Sequence, residues 1–438
     1  MSKKPALLGG APLLAEKWPP SNTIGEEEKK AVSRVLDTGV LSGFVAVTGE
    51  SFYGGPDVLK IEKMFCDKFK SRHAVALSSA TTALNTAVQA AGIGAGDEVI
   101  VPPYTMSATA TAVLLAGGIP VFADIDERTF NIDPREVKRK ITPRTKAIIA
   151  VNLFGQPAEL DTLSSIAKEH RLMLIEDNAQ APLAKYGGKF AGTIGDMGVF
   201  SLNRHKTMQC GEGGILVTDD KRLAKRAMLV RNHGEVVVDM LPKEEQEGND
   251  DLLGNNYRMT EPLAAIGIEQ LKKLDFLTEK RVALADHLTE QLKPFPFLAP
   301  PYLHPKATHV YYNYCMKFDE RKAGMPRELF VKAMQAENLP IGMGYVKPIY
   351  LYPFYQRLQR QSEAKEGERR GCPFLCPCHY DGKVDYRKGL CPVTERMHFK
   401  ELCSTDICRW PLTKKDIDLF VEGIGKVVDA KDDLLAGK

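Results

Sequence analysis

No stretch of this chain approaches the about 18 consecutive apolar residues of a membrane-spanning helix, so the sequence offers no transmembrane segment. It also lacks a charge surplus. The 59 basic and 56 acidic residues leave a net charge of +3, which points to neither nucleic acid nor a membrane surface as partner. The basic start Met1-Ser2-Lys3-Lys4 leads into an apolar run that Gly9-Gly10 breaks almost at once. It does not read as a signal peptide, and the cytoplasm is the expected compartment. Internal repeats and low-complexity tracts are missing as well. What is present is an ordinary globular composition, 44% hydrophobic and 26% charged over 438 residues. That is enough for two or three domains with a substantial buried core.

Disulfides are not expected in a reducing compartment, although there are nine cysteines. Cys66, Cys210 and Cys315 are scattered, whereas Cys372, Cys376, Cys378, Cys391, Cys403 and Cys408 crowd the C-terminal part. The run Cys372 to His379, with Cys391, fits no paired zinc-knuckle spacing. Free thiols are therefore the favoured reading, and no metal site is assigned.

From Ala74 to Thr218 short apolar runs alternate with helix-length segments. Strands are expected at Ala74–Ser78, Glu98–Val101, Pro120–Ala123, Lys146–Val151, Leu172–Glu176, Gly198–Leu202 and Ile215–Thr218. Helical patterns lie between them at Thr81–Ala91, Ser107–Ala116 and Leu160–His170. Runs that are apolar throughout and separated by helices indicate an α/β fold, a mostly parallel seven-stranded sheet covered on both faces. Thr260-Glu261-Pro262 opens a long helix to about Leu292. A Pro-rich passage, Pro294 to Pro305, reads as a linker. A strand at Val310–Phe318 and helices at Arg327–Glu337 and Lys414–Val428 then suggest a smaller α+β domain. The expected division is an N-terminal arm over 1–30, a cofactor-binding large domain over 31–270 and a small C-terminal domain over 271–438. A cysteine-bearing surface insertion is expected at about 360–389.

The chemistry concentrates where predicted strands end. Asp177 closes an apolar strand, and Lys206 lies between a strand and the glycine-rich turn Gly211-Glu212-Gly213-Gly214. A carboxylate at a strand end and a loop lysine are what pyridoxal 5'-phosphate (PLP) requires: the acid keeps the pyridine nitrogen protonated and the amine forms a Schiff base with the aldehyde. Either residue alone would be read as a helix cap or a surface cation. An anion cradle is also available. At Ser78-Ser79-Ala80-Thr81 a strand ends and a helix begins, so unpaired backbone N–H groups and the helix dipole favour a phosphate, with the Thr81 and Ser201 hydroxyls in support.

Taken in order, these segments resemble the DegT/DnrJ/EryC1/StrS group of fold-type I PLP enzymes, the sugar and aminocyclitol aminotransferases. The resemblance runs from about Leu8 to the C-terminal helix. It is carried by Gly9-Gly10, Ser79-Ala80-Thr81, the run Gly96 to Pro102, the run Pro120 to Asp126, the run Glu176 to Ala181, Phe200-Ser201 with Lys206, the run Gly211 to Gly214, the run Arg231 to Gly234 and the run Gly254 to Arg258. The resemblance implies an aspartate aminotransferase-like fold with Lys206 as the Schiff-base lysine. It makes Asp177 the partner of the pyridine nitrogen and Gln180 the side chain near the cofactor's phenolic oxygen. Ala80, Thr81 and Ser201 become phosphate contacts, with Ser79 of the same turn a further cofactor-binding candidate. Asn256 matches an asparagine that reaches the phosphate of the neighbouring subunit, which implies a homodimer with shared active sites. Met106 stands where relatives place Phe or Trp over the cofactor ring; its sulfur can still cover the ring, and stacking is otherwise lost or passes to Tyr104.

The implied activity is transfer of an amino group from glutamate or glutamine to a ketone on a nucleotide-linked sugar or on a cyclitol. His205 and His233 are further candidates for substrate contact. Three alternatives are weighed against it. A PLP-dependent sugar dehydratase would carry His at position 206. A non-catalytic PLP-fold regulator would have no need of Lys206, Asp177 and the cradle together. A zinc-binding interaction protein would rest on the C-terminal cysteines alone.

Overall fold

The computed structural model describes residues 4–363, 380 and 384–437. Its centre is a seven-stranded sheet. In chain order the strands are β1 (His73–Leu77), β2 (Glu98–Val101), β3 (Ile119–Phe122), β4 (Thr145–Val151) and β5 (Met173–Asp177). A short hairpin of β6 (Lys185–Tyr186) and β7 (Lys189–Phe190) stands apart, and β8 (Met197–Ser201) and β9 (Gly214–Thr218) complete the sheet. The spatial order is β1-β9-β8-β5-β4-β2-β3. All ladders are parallel except those of β9 with β1 and β8, so β9 alone runs against the rest. The expected mostly parallel sheet is present, with strand ends within a residue of the apolar runs.

Helices cover both faces, which is why these strands are apolar throughout. The helices that precede, connect or follow the strands are α1 (Glu26–Thr38), α2 (Pro56–Phe69), α3 (Ala80–Ala90), α4 (Ala108–Leu115), α5 (Pro134–Lys140), α6 (Leu160–His170) and α7 (Lys221–Arg231). Val75, Leu77, Val99, Val101 and Val199 pack with α3, α4 and α7. The alternate residues Ala74, Ala76, Phe200 and Ile215 face α2 and the helix Glu261–Gln291, and Ile148 and Leu174 face α6. Period-two alternation thus feeds two cores from one set of strands.

A second sheet, β10-β11-β13-β12, is antiparallel. Its strands are β10 (Leu298–Ala299), β11 (Tyr314–Phe318), β12 (Gly342–Met343) and β13 (Leu402–Thr405). It packs with the helices Arg327–Ala336 and Lys414–Asp429 and the C-terminal half of Glu261–Gln291.

Three expectations need correction. The passage Pro294 to Pro305 is not a bare linker, because Phe297 and Leu298 are buried and β10 forms there. The strand expected from Val310 starts at Tyr314; Tyr311, at φ +48°, turns the chain before it. The described part of the expected surface insertion is not superficial. The helix Pro353–Glu363 runs into it, and Tyr380, Val384 and Tyr386 are buried in the core of the large sheet. Tyr386 donates to the carbonyl of Pro120 at 2.9 Å and Tyr380 to Glu98 Oε1 at 2.9 Å. Cys372, Cys376, Cys378 and His379 lie outside the described residues, while Cys391 is a buried free thiol.

Candidate active site

Ligands of a parallel sheet gather at the carboxyl ends of its strands. Across β1, β9, β8 and β5 that edge presents, in order, Leu77, Gly214, Ser201 and the end of β5: Leu77 pairs with Gly214 and Gly214 with Ser201, while Asp177 pairs with Val199. The glycine at 214 is required by its neighbours. A Cβ there would sit 2.3 Å from the Ser79 carbonyl oxygen and 2.5 Å from the Ala80 nitrogen. Close approach of β9 therefore sets the 79–81 turn beside Ser201.

Ser79 is the N-cap of α3. Its hydroxyl accepts from Thr82 N at 3.1 Å, and Thr82 Oγ1 accepts from Ser79 N at 3.0 Å. This reciprocal box fixes the first turn and leaves the Ala80 and Thr81 amides without intrahelical acceptors. Ser201 is buried, and its hydroxyl accepts a 3.3 Å bond from Asn203 N.

Asp177 is 5% exposed. Its Oδ2 accepts from Thr109 Oγ1 on α4 at 2.9 Å and its Oδ1 from Ala179 N at 3.2 Å. Burial raises its pKa; Thr109, Ala179 and the charge of Lys206 oppose that rise without overcoming it. Among the described residues no cationic side chain lies within ion-pair distance of it. A carboxylate so enclosed, with two donors and no counter-charge, is incomplete in the way a cationic ring nitrogen would complete it.

Lys206 sits in a loop closed by Arg204 N to Gly211 O (2.9 Å) and Lys206 N to Asn203 O (2.8 Å). Its Nζ is 4.4 Å from the ring centroid of Tyr312, which comes from the segment before β11. That segment is pinned: Arg281 Nη1 donates to the carbonyls of Tyr311 and Tyr312, each at 3.1 Å, and Tyr311 N donates to His309 Nδ1 at 2.9 Å. Gln180 is buried. Its Oε1 accepts from Phe154 N at 2.9 Å and its Nε2 donates to Tyr345 Oη at 3.1 Å. Lys206, Tyr312 and Tyr345 face one cavity of about 1000 Å³, walled also by His205, Arg281, Arg409 and, from the N-terminal arm, Lys17 and Trp18.

One alternative, that stacking over the ring passes to Tyr104, does not fit the structure. Tyr104 is fully buried, its hydroxyl accepting from Tyr345 N at 2.9 Å and its ring edge-on to Phe154 and Tyr345. It cannot take over cover of a cofactor ring. Met106 is 56% exposed ahead of α4. Asn256 is exposed and bridges to Asn232, next to Tyr257, whose carbonyl accepts from Ser78 N at 2.8 Å. His233, at φ +49°, is 3.9 Å from Glu235 and does not line the cavity. Thr109, Tyr312, Tyr345, Arg281 and Arg409 escaped the sequence reading because nothing local marks them.

An α/β sheet carrying a buried aspartate and a helix N-terminus at one edge with a loop lysine nearby, completed by a second smaller sheet, is the arrangement of a fold-type I PLP enzyme. The chain belongs to the DegT/DnrJ/EryC1/StrS aminotransferase family, whose profile matches residues 22–370. It is 35% identical over 348 residues to the spore coat polysaccharide biosynthesis protein SpsC of Bacillus subtilis (strain 168), covering 78% of this chain and 86% of that one. It is 36% identical over 341 residues to L-glutamine:scyllo-inosose aminotransferase of Streptomyces griseus, covering 77% and 80%. Among solved structures it is similar to DesI crystallised in the presence of its TDP-sugar product, with a TM-score of 0.79, 27% identity and 98% of each chain covered. The protein is an aminotransferase, and the dehydratase and regulator alternatives are not favoured.

Proposed function

We propose that this aminotransferase uses PLP to move nitrogen from glutamate or glutamine to a ketone on a sugar or cyclitol, in amino-sugar or aminocyclitol biosynthesis. The observation that carries the reading is Asp177, a buried carboxylate at the sheet edge that feels the charge of Lys206 but has, among the described residues, no cation within ion-pair distance. When bound, PLP supplies an electron sink that lets an amino group leave one carbon and join another.

Asp177 would hold a proton on the ring nitrogen, and Thr109 would keep the carboxylate turned towards it. The amides of Ala80 and Thr81, the Ser79 turn and the hydroxyls of Thr81 and Ser201 would hold the phosphate. Gln180, gripped by Phe154 N and Tyr345 Oη, would stand near the phenolic oxygen. Met106 would cover the ring. The amine of Lys206 would hold the cofactor covalently and would also serve as the acid–base group that moves a proton at the donor's Cα. A positioned acid–base of that kind contributes about 10²–10⁴-fold.

The glutamine-dependent cyclitol enzyme among the relatives favours glutamine as donor, and DesI, with its TDP-sugar product, keeps a nucleotide-linked sugar open as acceptor. No helix among the described residues is long and apolar enough to cross a membrane, in keeping with a cytoplasmic enzyme. A homodimer with Asn256 reaching the partner's phosphate is part of the same reading. It is supported by the exposed Val45, Val47 and Tyr53 on the segment that Asn232, the bridge partner of Asn256, holds through the carbonyls of Val45 and Phe52.

The test is the absorbance spectrum of the protein with PLP, before and after adding glutamate or glutamine. The expected result is a cofactor band that collapses on addition of a donor and is restored by an acceptor ketone. Lys206→Ala should lose more than the about 10⁴-fold upper range of acid–base catalysis. Near-normal turnover in that variant would sink the assignment. Mixing it with an inactive Asn256→Ala protein should restore turnover if sites are shared.

A further inference from the structure

Both tryptophans of this chain, Trp18 and Trp410, stand in the wall of the cavity beside Lys206. Trp18 belongs to the N-terminal arm, between the short turn at Ala6–Leu8 and α1, where no helix or strand orders the chain. A terminal stretch of that kind keeps one position only where it is tied down.

The ties come from the domain of the smaller sheet. Glu337 stands at the end of the helix Arg327–Ala336 and is fully buried. Its Oε1 accepts from Ala6 N and its Oε2 from Leu13 N, both at 2.8 Å, and Oε2 also lies 2.7 Å from Nζ of Lys426. Lys426, itself nearly buried, donates to the Ala11 carbonyl at 2.9 Å. Beside Glu337, Asn338 Nδ2 donates to the Leu14 carbonyl at 2.8 Å. Past the tryptophan, Arg409 Nη2 donates to Pro19 O at 2.9 Å and Ser21 Oγ to Trp410 O at 2.8 Å. Trp18 is thus carried between two anchored stretches, 6–14 and 19–21. The segment that grips the first of them also lines the cavity, through Gln335, Asn338 and Ile341. An exposed ion pair would add little to such a strap. A buried carboxylate, by contrast, repays its desolvation only while every partner is kept.

We propose that the arm is a specificity element of the substrate cavity, with Trp18 set against the ring of the amino acceptor and Glu337 as the positioning residue that fixes the arm. An indole offers a broad apolar face, which suits the C–H face of a cyclitol or sugar ring. An amino acid is small against a cavity of about 1000 Å³, whereas a ring-bearing acceptor covers more of the wall. The proposal deepens the aminotransferase reading and rests on it.

The test reads the two half-reactions separately, by the absorbance of the PLP-loaded protein with glutamine and then with scyllo-inosose or a TDP-linked keto-hexose. In Trp18→Ala the donor half-reaction should stay within about twofold of the parent, while KM for the acceptor rises about tenfold with its limiting rate kept, the scale of a lost apolar contact. Trp18→Phe should recover most of that loss. Glu337→Gln should raise the acceptor KM in the same way, and trypsin should cut after Lys17 severalfold faster than in the parent, because cleavage follows the population of released arm. The ketone that shows the effect identifies the ring that meets the arm. Trp18→Ala carries the test if Glu337→Gln does not fold. Donor and acceptor half-reactions that fall together, or an acceptor KM unmoved in Trp18→Ala, would overturn the proposal. Unchanged cleavage after Lys17 in a folded Glu337→Gln removes Glu337 from its role. A parent whose cofactor band responds to no donor, or to neither ketone, sinks the aminotransferase reading itself and the proposal with it.

Discussion

Glu176 and Asp177 are adjacent acids on one strand, and they end in opposite environments. Successive side chains of a strand point to opposite faces. Glu176, 0% exposed, accepts from the amides of Gly192 (2.6 Å), Ile194 (2.7 Å) and Gly195 (2.7 Å) and from Asn152 Nδ2 (3.2 Å). Asp177 accepts from one hydroxyl and one amide. A carboxylate offers about four acceptor sites, so the protein fills those of Glu176 and leaves Asp177 short. Burial is the first cause raising both pKa values. The acid with a complete donor set is therefore read as architecture, and the incomplete one as waiting for a ligand.

The strongest way to break this comparison is Asp177→Asn. If Asp177 serves the ligand, turnover should fall about 10²–10³-fold, as removal of one preorganised electrostatic partner costs, while the cofactor-free protein should melt no lower at neutral pH. The sign follows from linkage. The folded pKa of Asp177 lies above its ordinary 3.8, so between those two values the folded state holds a proton that the unfolded state has lost, and stability falls as pH rises through that window. Asparagine removes the penalty, and the two proteins should converge at pH values below the ordinary pKa. Thermal melts across pH, paired with steady-state kinetics, check both halves. A large loss of stability with intact turnover would reverse the two roles.

Glu176→Gln should do the opposite. Replacing one carboxylate oxygen by NH₂ sets a donor against backbone donors, and each buried amide left unmade costs about 1–3 kcal/mol. Removing the charge also relieves the burial cost that raises the Glu176 pKa, so the unmade amide bonds are offset in part and a net loss of roughly 1–3 kcal/mol in a denaturant titration is expected, with kcat of the surviving folded protein little changed. A variant as stable as the parent would mean that the 192–195 loop does not depend on Glu176.

The comparison also marks how far the sequence could be read. Leu172 to Glu176 announced a buried strand because both faces of a covered parallel strand are apolar, and Asp177 was conspicuous because it ended that run. Ser79 and Gly214 were legible through local rules, a helix cap and a glycine-rich turn. Tyr312, Arg281 and Arg409 were not. Each belongs to the part of the chain after Pro262, far from Lys206 in sequence, and each looks alone like an ordinary aromatic or surface cation. The arm over 1–30 was expected, but not its part in the cavity: Lys17 reaches the wall because the arm is tied down by Glu337, which accepts from Ala6 N and Leu13 N, both at 2.8 Å, and by Arg409, which donates to Pro19 O at 2.9 Å. The burial of Tyr380, Val384 and Tyr386 was hidden by the charge and glycine content of the sequence around them. Tyr380 and Tyr386 reach past it to the large sheet.

The finest distinction concerns Tyr312, which offers Lys206 a ring face rather than a hydrogen bond. A cation 4.4 Å from a ring centroid is held by about 0.5–1 kcal/mol at exposed sites and about 2 when desolvated. Tyr312→Leu should accordingly lower kcat by about two- to thirtyfold, since the lysine must be held in place each time it is free. Tyr312→Phe keeps the ring and should stay within about twofold of the parent. That pairing separates the ring from the hydroxyl. It also separates both from backbone anchoring, because Arg281 grips the Tyr312 carbonyl whichever side chain is present. If Phe and Leu prove equally damaging, the hydroxyl is what matters; if both are silent, Tyr312 is only a wall of the cavity, and Lys206 is held by its own loop.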